Sequence, residues 1–273
     1  MQLSEQHIQA YQQDGAILVK KAISDDWVER LNRLVDYNMT HPSRYGNDRG
    51  LDERGGRLFT DRYQWRDNDT IREFVFHSGI GDLVRQAMQS TQVRFYFDHL
   101  LVKEPNTVSP SPWHQDTPYW PFLGRQIGSA WVALSDVTVA ESSLEFIRGS
   151  HRDEIVYRPE VFGKTDNNPS GWIGNQGGQP VPDIEADRAA YDILGFDVEA
   201  GDAIIFSAWT LHGSRGNDSP TKRRAALSTR WLGDDAIWHP HEGADPTVTQ
   251  ADVCVQPGEK PHDDDRFPLL ATV

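Results

Sequence analysis

Residues 93–102 read VRFYFDHLLV, and at this stretch the pattern of the chain changes from helical to extended. Upstream, residues such as Leu83, Val84 and Ala87 recur at the spacing of one helix face, whereas in this stretch the period falls to two. β-Branched and aromatic residues dominate it, as they do in strands. The stretch therefore predicts the first strand of a β structure that occupies most of the remaining chain.

The same strand character returns in four later segments, which Gly, Pro, Asn and Asp separate. They are residues 129–137, 144–148, 203–207 and 224–232. Near the N-terminus, Ser4 and Ser24 are predicted to cap two helices on either side of a short strand at 16–22. A third helix is predicted over 80–88, and residues 41–69, which show no clear period, are expected to form an ordered loop. Helices followed by many strands predict a mainly β fold with flanking helices, built as an antiparallel jelly roll.

No linker composition divides the chain, so we expect one domain over 1–273. Its expected parts are a mainly helical N-terminal support over 1–91, the jelly-roll core over 92–233 and a C-terminal tail over 234–273. Residues 152–192 are polar and rich in Gly, Asn and Asp, which predicts a long insertion between strands. Long ordered loops of this kind often act as lids over binding sites.

Composition and charge favour a small molecule as the binding partner. The formal net charge of −14 argues against nucleic acid and anionic membranes, because both bind clustered Lys and Arg. The single cysteine, Cys254, excludes an internal disulfide, and no basic start followed by an apolar run marks a signal peptide. We therefore expect a cytoplasmic protein without a membrane anchor, whose oligomeric state the sequence leaves open.

Trp113-His114-Gln115-Asp116 offers a histidine and a carboxylate two positions apart, just after a proline-rich turn. In an extended chain residues two apart face the same side, so both side chains can reach one metal ion. A third ligand is expected far downstream, where another strand returns beside this one, and His212 is well placed for that role. Two imidazoles and one carboxylate form the facial triad of non-haem Fe(II) oxygenases, which leaves coordination positions open.

Arg223 lies eleven residues after His212, beyond turn signals that can reverse the chain into the next strand. A guanidinium there can bind the far carboxylate of a 2-oxo diacid in a bidentate pair, and the hydroxyl of Ser214 can assist it. Arg224 is adjacent to Arg223. Because neighbouring residues on a strand face opposite sides, only one of the two arginines can point into the jelly roll.

Together these motifs make the chain similar to the phytanoyl-CoA dioxygenase family of Fe(II)- and 2-oxoglutarate-dependent oxygenases. The resemblance covers most of the chain, from the N-terminal helices to about Leu232, and depends on the order and spacing of several motifs. These are WHQD at 113–116 followed by YWP at 119–121, AWVAL at 130–134, LEFI at 144–147, GSH at 149–151, GD at 201–202, and HGS at 212–214 with Asn217 and Arg223.

The resemblance implies a double-stranded β-helix, a cupin-like jelly roll, in which His114, Asp116 and His212 are the iron ligands and the catalytic centre. It implies Fe(II) as cofactor and 2-oxoglutarate and O2 as co-substrates. The implied reaction is hydroxylation of a small organic substrate with release of succinate and CO2.

Family spacing also implies that Arg223 and Ser214 clamp 2-oxoglutarate, which leaves Arg224 as a surface or ion-pairing residue. Three further residues are expected at the co-substrate pocket: Trp131 as a wall, with His99 and Gln115 in contact with it.

Two other histidine patterns are interpreted as structural. His151-Arg152-Asp153 repeats the H-x-D spacing, but it follows a Gly-Ser turn and opens the polar insertion, and the same turn recurs in the family outside the iron triad. His239 and His241 are also two apart, but exposed pairs of this kind near a C-terminus are usually solvated.

Several alternatives share part of this pattern. Desaturation or cyclisation would look identical in sequence, whereas halogenation requires a small residue in place of Asp116. A non-catalytic jelly roll holding Zn(II) would not need Arg223 and Ser214, and a metal-dependent hydrolase would need a carboxylate base beside the metal, which we do not identify. The substrate is left open. An apolar or amphipathic pocket is suggested by the insertion at 152–192 with Phe76, Tyr119, Trp120 and Phe122, whereas an anionic group is suggested by Arg57, Arg62 and Arg94.

Overall fold

A computed structural model describes residues 1–158 and 177–272 of the chain. The helices in these ranges are α1 (Glu5–Asp14), α2 (Asp25–Asn38), α3 (Asp69–His77) and α4 (Ile80–Met88). The strands are β1 (Ala16–Val19), β2 (Asn47–Leu51), β3 (Arg57–Arg62), β4 (Gln92–Lys103), β5 (Ser111–His114), β6 (Phe122–Leu123), β7 (Ile127–Ala133), β8 (Glu145–Ile147), β9 (Ile193–Gly195), β10 (Ala203–Ser207), β11 (His212–Ser214), β12 (Arg224–Leu232), β13 (Ile237–Trp238) and β14 (Leu269–Thr272). Short 3-10 turns span Thr117–Tyr119, Val139–Glu141, Ser150–Arg152, Arg188–Ala190 and Gln250–Asp252.

Two antiparallel sheets form the framework. The larger has the order β1-β10-β7-β12-β4-β3-β2, with β14 also paired to β4, and the smaller has the order β5-β11-β8-β9. A short pair, β13-β6, lies outside both sheets. The sheets meet where Phe146 of β8 contacts Phe206 of β10, with ring centroids 5.2 Å apart. The predicted antiparallel jelly roll with flanking helices is confirmed.

Helices cover the outer face of the larger sheet. Leu227 and Trp231 of β12 are fully buried in one apolar cluster with Leu31 of α2 and Val84 of α4. Gly81 allows α4 to approach closely, because a Cβ at that position would lie 2.7 Å from the Trp231 ring. Each large apolar side chain buried here contributes about 1.5–3 kcal/mol through its removal from water.

The opposite face of β12 lines the space between the two sheets. Strand alternation puts Arg224, Ser228 and Arg230 on this inner face, and all three are buried. The neighbouring strands contribute Trp131 and His99, each paired in register with Ser228. Polar and charged side chains are unusual in a β-sandwich interior. This inner face therefore marks where the functional site lies.

The N-terminal helices begin as predicted, because the side chains of Ser4 and Ser24 accept backbone hydrogen bonds at the starts of α1 and α2. The prediction of a loop over 41–69 is wrong in part, since β2 and β3 lie within it. These strands are polar, and β2 is exposed at every position, so no apolar alternation marks them. The helix α3, which Asn68 caps, was not recognised from the sequence.

Residues 159–176 of the predicted insertion lie outside the described residues. After them, Ile184 packs with Trp113 and Leu211 on the outer face of the smaller sheet. In the C-terminal part, Trp238 and Phe267 are fully buried and extend the core beyond the end of β12. None of the helices in the described ranges combines the length and apolar character needed to cross a bilayer.

Candidate active site

His114, Asp116 and His212 lie together between the two sheets. His114 ends β5 and pairs in register with His212 of β11, so the imidazole centroids are 4.2 Å apart. Asp116 follows in the next turn, with its Oδ1 3.7 Å from His114 Nε2 and 3.9 Å from His212 Nε2. One ligand atom from each residue lies within 4.8 Å of the others, which suits a single metal ion. No second cluster of this kind occurs among the described residues.

Backbone carbonyls hold both imidazoles in one orientation. His114 Nδ1 lies 2.7 Å from the Pro112 oxygen, and His212 Nδ1 lies 2.9 Å from the Thr210 oxygen. A proton on each Nδ1 donates to the carbonyl and leaves Nε2 as the nitrogen that can bind a metal. Burial, and then the neighbouring His114, lowers the pKa of His212 to about 3, so this imidazole is neutral near pH 7.

The carboxylate of Asp116 is oriented by a hydroxyl. The Ser129 side chain donates to Asp116 Oδ2 at 2.9 Å, which leaves Oδ1 beside the two histidines. Burial by itself would raise the pKa of this carboxyl. The hydrogen bond with His114 and the fields of His212 and Arg230 outweigh burial and lower the pKa well below its ordinary value. Asp116 is therefore ionised, which is the state in which a carboxylate can bind a metal.

Two cations and a hydroxyl converge at the Arg224 end of β12. Lys103 Nζ lies 3.0 Å from Ser214 Oγ, and Arg224 Nη2 lies 3.3 Å from the same oxygen. The Arg224 guanidinium also lies over Trp131, with its carbon 5.4 Å from the ring centroid. Lys103 and Arg224 are only 2% and 3% exposed. Within the described ranges, neither has a carboxylate at ion-pair distance.

Burial disfavours the protonated, charged form of both Lys103 and Arg224. Burial, and then the charge of Arg224, lowers the pKa of Lys103 well below its ordinary value. Burial also lowers the pKa of Arg224 to about 10, which leaves it charged near pH 7. A buried cation without an anion costs several kcal/mol. This end of the interior therefore has the charge and the donors for a bound carboxylate.

The structure reverses the predicted orientation of the two arginines. Arg223 lies on the helix side of β12, where it forms ion pairs with Asp36 at 2.6 Å and Glu104 at 2.7 Å. The prediction that Arg223 points inward and Arg224 outward is therefore wrong. Pairing of Arg224 with Lys103 sets the register of β12, and alternation along the strand decides the rest. The spacing from His212 could not show this, because the intervening turn can absorb one residue.

Trp131 and His99 lie on the inner face, between the two sheets. Trp131 Nε1 and the hydroxyl of Ser228 are buried without a hydrogen-bond partner, and the two residues face each other across β7 and β12. Burial, and then the charges of Arg230 and Arg62, lowers the pKa of His99 well below its ordinary value, so its ring is neutral.

Gln115 has a different environment from the one expected. Its Nε2 donates to the backbone oxygens of Ile155 and Trp209, at 3.0 and 2.8 Å, and its Oε1 accepts from the Tyr157 N–H at 3.0 Å. These contacts anchor loops around the site and occupy the amide. They do not support the expectation that Gln115 contacts the co-substrate.

The remaining predicted candidates lie elsewhere. His151 bonds to the Gln12 oxygen at 3.1 Å and does not join the triad. His239 and His241 have ring centroids 5.8 Å apart, with no third ligand among the described residues. The three arginines suggested for anion recognition all have carboxylate partners: Arg57 with Asp48, Arg62 with Asp245 and Arg94 with Asp264. Phe76 is 41% exposed and lies on the outer layer of helices.

Sequence reasoning missed Lys103, Ser129 and Arg230. A weak signal was present for two of them. Lys103 ends the apolar stretch in phase with His99, and Arg230 lies in phase with Arg224 along β12. Charged residues in phase with candidate site residues on a buried strand indicate a polar interior. Ser129 has no such signal, because only the return of β7 beside Asp116 gives it a role.

The chain matches the family model described as phytanoyl-CoA dioxygenase (PhyH) over residues 11–225. It is 23% identical over 251 residues to the probable phytanoyl-CoA dioxygenase of Caenorhabditis elegans, an alignment that covers 85% of this chain and 76% of that protein.

Two solved structures are similar over nearly their whole length. The non-haem α-ketoglutarate-dependent carbocyclase SnoK from nogalamycin biosynthesis superposes with a TM-score of 0.75 at 20% identity, covering 98% of this chain and 97% of that chain. The epimerase SnoN, in complex with Fe3+, α-ketoglutarate and nogalamycin RO, superposes with a TM-score of 0.73 at 21% identity, covering 98% of both chains. At this level of identity the likeness establishes the shared fold.

Proposed function

The chain belongs to the phytanoyl-CoA dioxygenase family and is a non-haem iron dioxygenase dependent on 2-oxoglutarate, and we propose that it hydroxylates a small organic substrate. We further propose that His114, Asp116 and His212 bind the iron. The observation that carries this assignment is the convergence of their ligand atoms, within 4.8 Å of one another, in the space between the sheets.

The donor set suits Fe(II) with open coordination positions. Two imidazole nitrogens and one carboxylate oxygen are the ligands of the facial triad, whereas structural zinc sites are closed by four protein ligands. Only three donors converge within the described part of the chain. The carbonyl partners of both Nδ1 atoms support the same assignment, since they leave both Nε2 atoms ready to bind.

The far carboxylate of 2-oxoglutarate is assigned to Arg224, Lys103 and Ser214. The buried guanidinium of Arg224 supplies charge-assisted hydrogen bonds that a carboxylate accepts, and the Lys103 amine and the Ser214 hydroxyl lie beside it. Neither basic side chain has a carboxylate partner among the described residues. Trp131 is assigned as a wall of this pocket and His99 as a neighbour of it. Arg223, with its own two carboxylate partners, is not assigned to the clamp.

When bound, Fe(II) with 2-oxoglutarate and O2 supplies the oxidising chemistry. The residues of the chain bind, orient and shield. The Ser129 hydroxyl orients Asp116, and backbone carbonyls orient the imidazoles of His114 and His212. The charge of Arg224 balances the far carboxylate of 2-oxoglutarate. Burial of all three ligands keeps water away from the reacting atoms. No protein acid or base is assigned.

Hydroxylation is favoured among the reactions that these ligands support. Asp116 occupies the position that halogenation would leave to a small residue. Desaturation and cyclisation use the same ligands, and the mass of the product separates them from hydroxylation: one added oxygen atom against two lost hydrogens. We propose a small organic molecule as substrate and a cytoplasmic location, and the net charge of −14 disfavours nucleic acid and anionic membranes as partners.

An anaerobic titration tests the proposal. Purified apo-protein is given Fe(II) and then 2-oxoglutarate while the visible metal-to-ligand charge-transfer band is recorded. We expect the band in the wild type, followed by succinate release when O2 and a substrate are added. Iron binding without any response to 2-oxoglutarate would contradict the enzyme assignment and favour a non-catalytic metal-binding jelly roll.

A further inference from the structure

Arg230 is a third buried cation on the inner face of β12. Arg230 is 7% exposed, and its Nε and Nη1 atoms have no hydrogen-bond partner among the described residues. No carboxylate within residues 1–158 and 177–272 lies at ion-pair distance from it. Unpaired N–H groups on a buried guanidinium are costly, because burial removes the water that would otherwise solvate them. A missing acceptor is the simplest explanation of this arrangement.

Arg230 lies on the opposite side of the triad from the proposed co-substrate clamp. At one end, His212 is followed by Ser214, which contacts Arg224. At the other end, Asp116 accepts from Ser129, which pairs in register with Arg230. The two arginines are six positions apart along β12, which is about 20 Å between Cα atoms at the rise of a β-strand.

The two guanidinium groups also contact different aromatic rings. Arg224 lies over Trp131, whereas the guanidinium carbon of Arg230 is 5.0 Å from the Phe97 centroid and 5.8 Å from the Trp120 centroid. Ring faces compensate only part of a buried positive charge. With its far carboxylate on Arg224 and its other end at the metal, 2-oxoglutarate has no carboxylate left for Arg230, so Arg230 is available for a different anion.

The charged side chains around Arg230 indicate how much negative charge the anion carries. Arg62, at the end of β3, is already ion-paired with Asp245. Arg230 has no carboxylate at ion-pair distance among the described residues, and the charges of Asp116 and Asp98 act on it only from farther away. One negative charge matches it, whereas a phosphate carries nearly two at neutral pH and would need a second cation. A carboxylate fits the site better than a phosphate.

We propose that Arg230 binds a carboxylate of the primary substrate, whose apolar part packs on Phe97 and Trp120. The enzyme would thus act on a carboxylate-bearing molecule held on the far side of the metal from 2-oxoglutarate. This inference rests on the proposed function, because it takes the Arg224 end to be filled by 2-oxoglutarate. Trp120, which is both a core residue and a contact of Arg230, would form one wall of the substrate site.

Matched carboxylates and amides test the inference. Protein loaded with Fe(II) and saturating 2-oxoglutarate is titrated anaerobically with benzoate, 3-phenylpropanoate, hexanoate and octanoate, and with their primary amides. Calorimetry and the change in the charge-transfer band report binding. We expect at least one carboxylate to bind about 10-fold or more tightly than its amide, which is the size expected for a charge-assisted hydrogen bond.

Three variants locate the effect. Arg230→Gln should abolish the preference for the carboxylate over the amide while leaving the 2-oxoglutarate affinity unchanged. Arg230→Lys should retain part of the preference for the carboxylate. Arg223→Gln, which removes an arginine from the outer face, should behave as wild type. An intact charge-transfer band shows that each variant is folded.

The possible outcomes distinguish a failure of the Arg230 inference from a failure of the proposed function. A missing band in the wild type overturns the proposed function and this inference with it. A normal band overturns this inference alone if no carboxylate binds better than its amide, or if the preference survives in Arg230→Gln.

Discussion

The Nη2 atom of Arg224 lies 3.3 Å from the hydroxyl oxygen of Ser214, inside the jelly roll, where both residues are at most 5% exposed. Arg223, the preceding residue, faces α2 instead and pairs with Asp36. The adjacent arginines thus point to opposite sides of the larger sheet, at the residue where β12 begins. This difference makes them a matched pair of variants for testing which residue binds 2-oxoglutarate.

Replacing Arg224 with alanine should weaken 2-oxoglutarate binding by about 10- to 100-fold, because a charge-assisted hydrogen bond in a buried site is lost. Arg223→Ala should change the affinity little, since its partners lie outside the pocket. The measurement is the 2-oxoglutarate concentration dependence of the charge-transfer band in Fe(II)-loaded protein. A larger loss in Arg223→Ala than in Arg224→Ala would contradict the assignment.

Replacing His212 with alanine should abolish tight Fe(II) binding and with it the charge-transfer band. The reason is that one of the three ligand atoms that converge among the described residues is removed. Anaerobic dialysis followed by metal analysis measures the effect. His262→Ala, which changes an exposed histidine outside the cluster, serves as the control and should bind iron as the wild type does. Stoichiometric iron in His212→Ala would show that the metal lies elsewhere.

Replacing Ser129 with alanine should weaken Fe(II) binding by about 10- to 100-fold, the usual cost of losing an outer partner of a metal ligand. The Ser129 hydroxyl holds Oδ2 of Asp116, and without it the carboxylate is free to rotate. Competition with a calibrated chelator gives the affinity. Ser4→Ala removes a hydroxyl at the start of α1 and should leave the iron affinity unchanged. Equal affinities in all three proteins would remove Ser129 from the site.

The apo-protein should lose stability as the pH falls from about 6.5 to about 3 because of His212. In this window the unfolded chain binds a proton on that imidazole that the folded protein excludes. Stability from this group therefore rises with pH, by about 1.4 kcal/mol per pH unit, and is complete above the unfolded pKa. Asp98, whose pKa burial raises to about 6, acts in the opposite direction over part of the window.

Comparison with His212→Ala isolates the contribution of His212 to the pH dependence of stability. Urea unfolding of iron-free wild type and His212→Ala at about pH 7 and about pH 5 should show a smaller pH dependence in the variant, because only the wild type carries this proton linkage. The Asp98 contribution is common to both proteins and cancels. The same pH dependence in both would mean that His212 is not held neutral in the folded state.

The sequence alone determined those features of the structure that depend on only a few neighbouring residues. The H-x-D spacing of His114 and Asp116 predicted that two candidate ligands lie together, and Ser4 and Ser24 marked where helices begin. Such features depend on backbone geometry over one turn or one strand step, so they can be predicted without knowing the fold. The change of period near residue 93 likewise predicted the jelly roll.

Tertiary structure decided which side chains enter the interior. Arg223 and Arg224 are equivalent in sequence, and only the pairing of β12 with β4 and β7 turned Arg224 inward. A shift of one residue reverses every side chain on a strand, and distant partner strands set that register. The same pairing turned Lys103 and Arg230 into the interior. The sequence by itself determined the class of fold and singled out the candidate metal ligands, whereas the packing of remote strands decided where the buried charges lie.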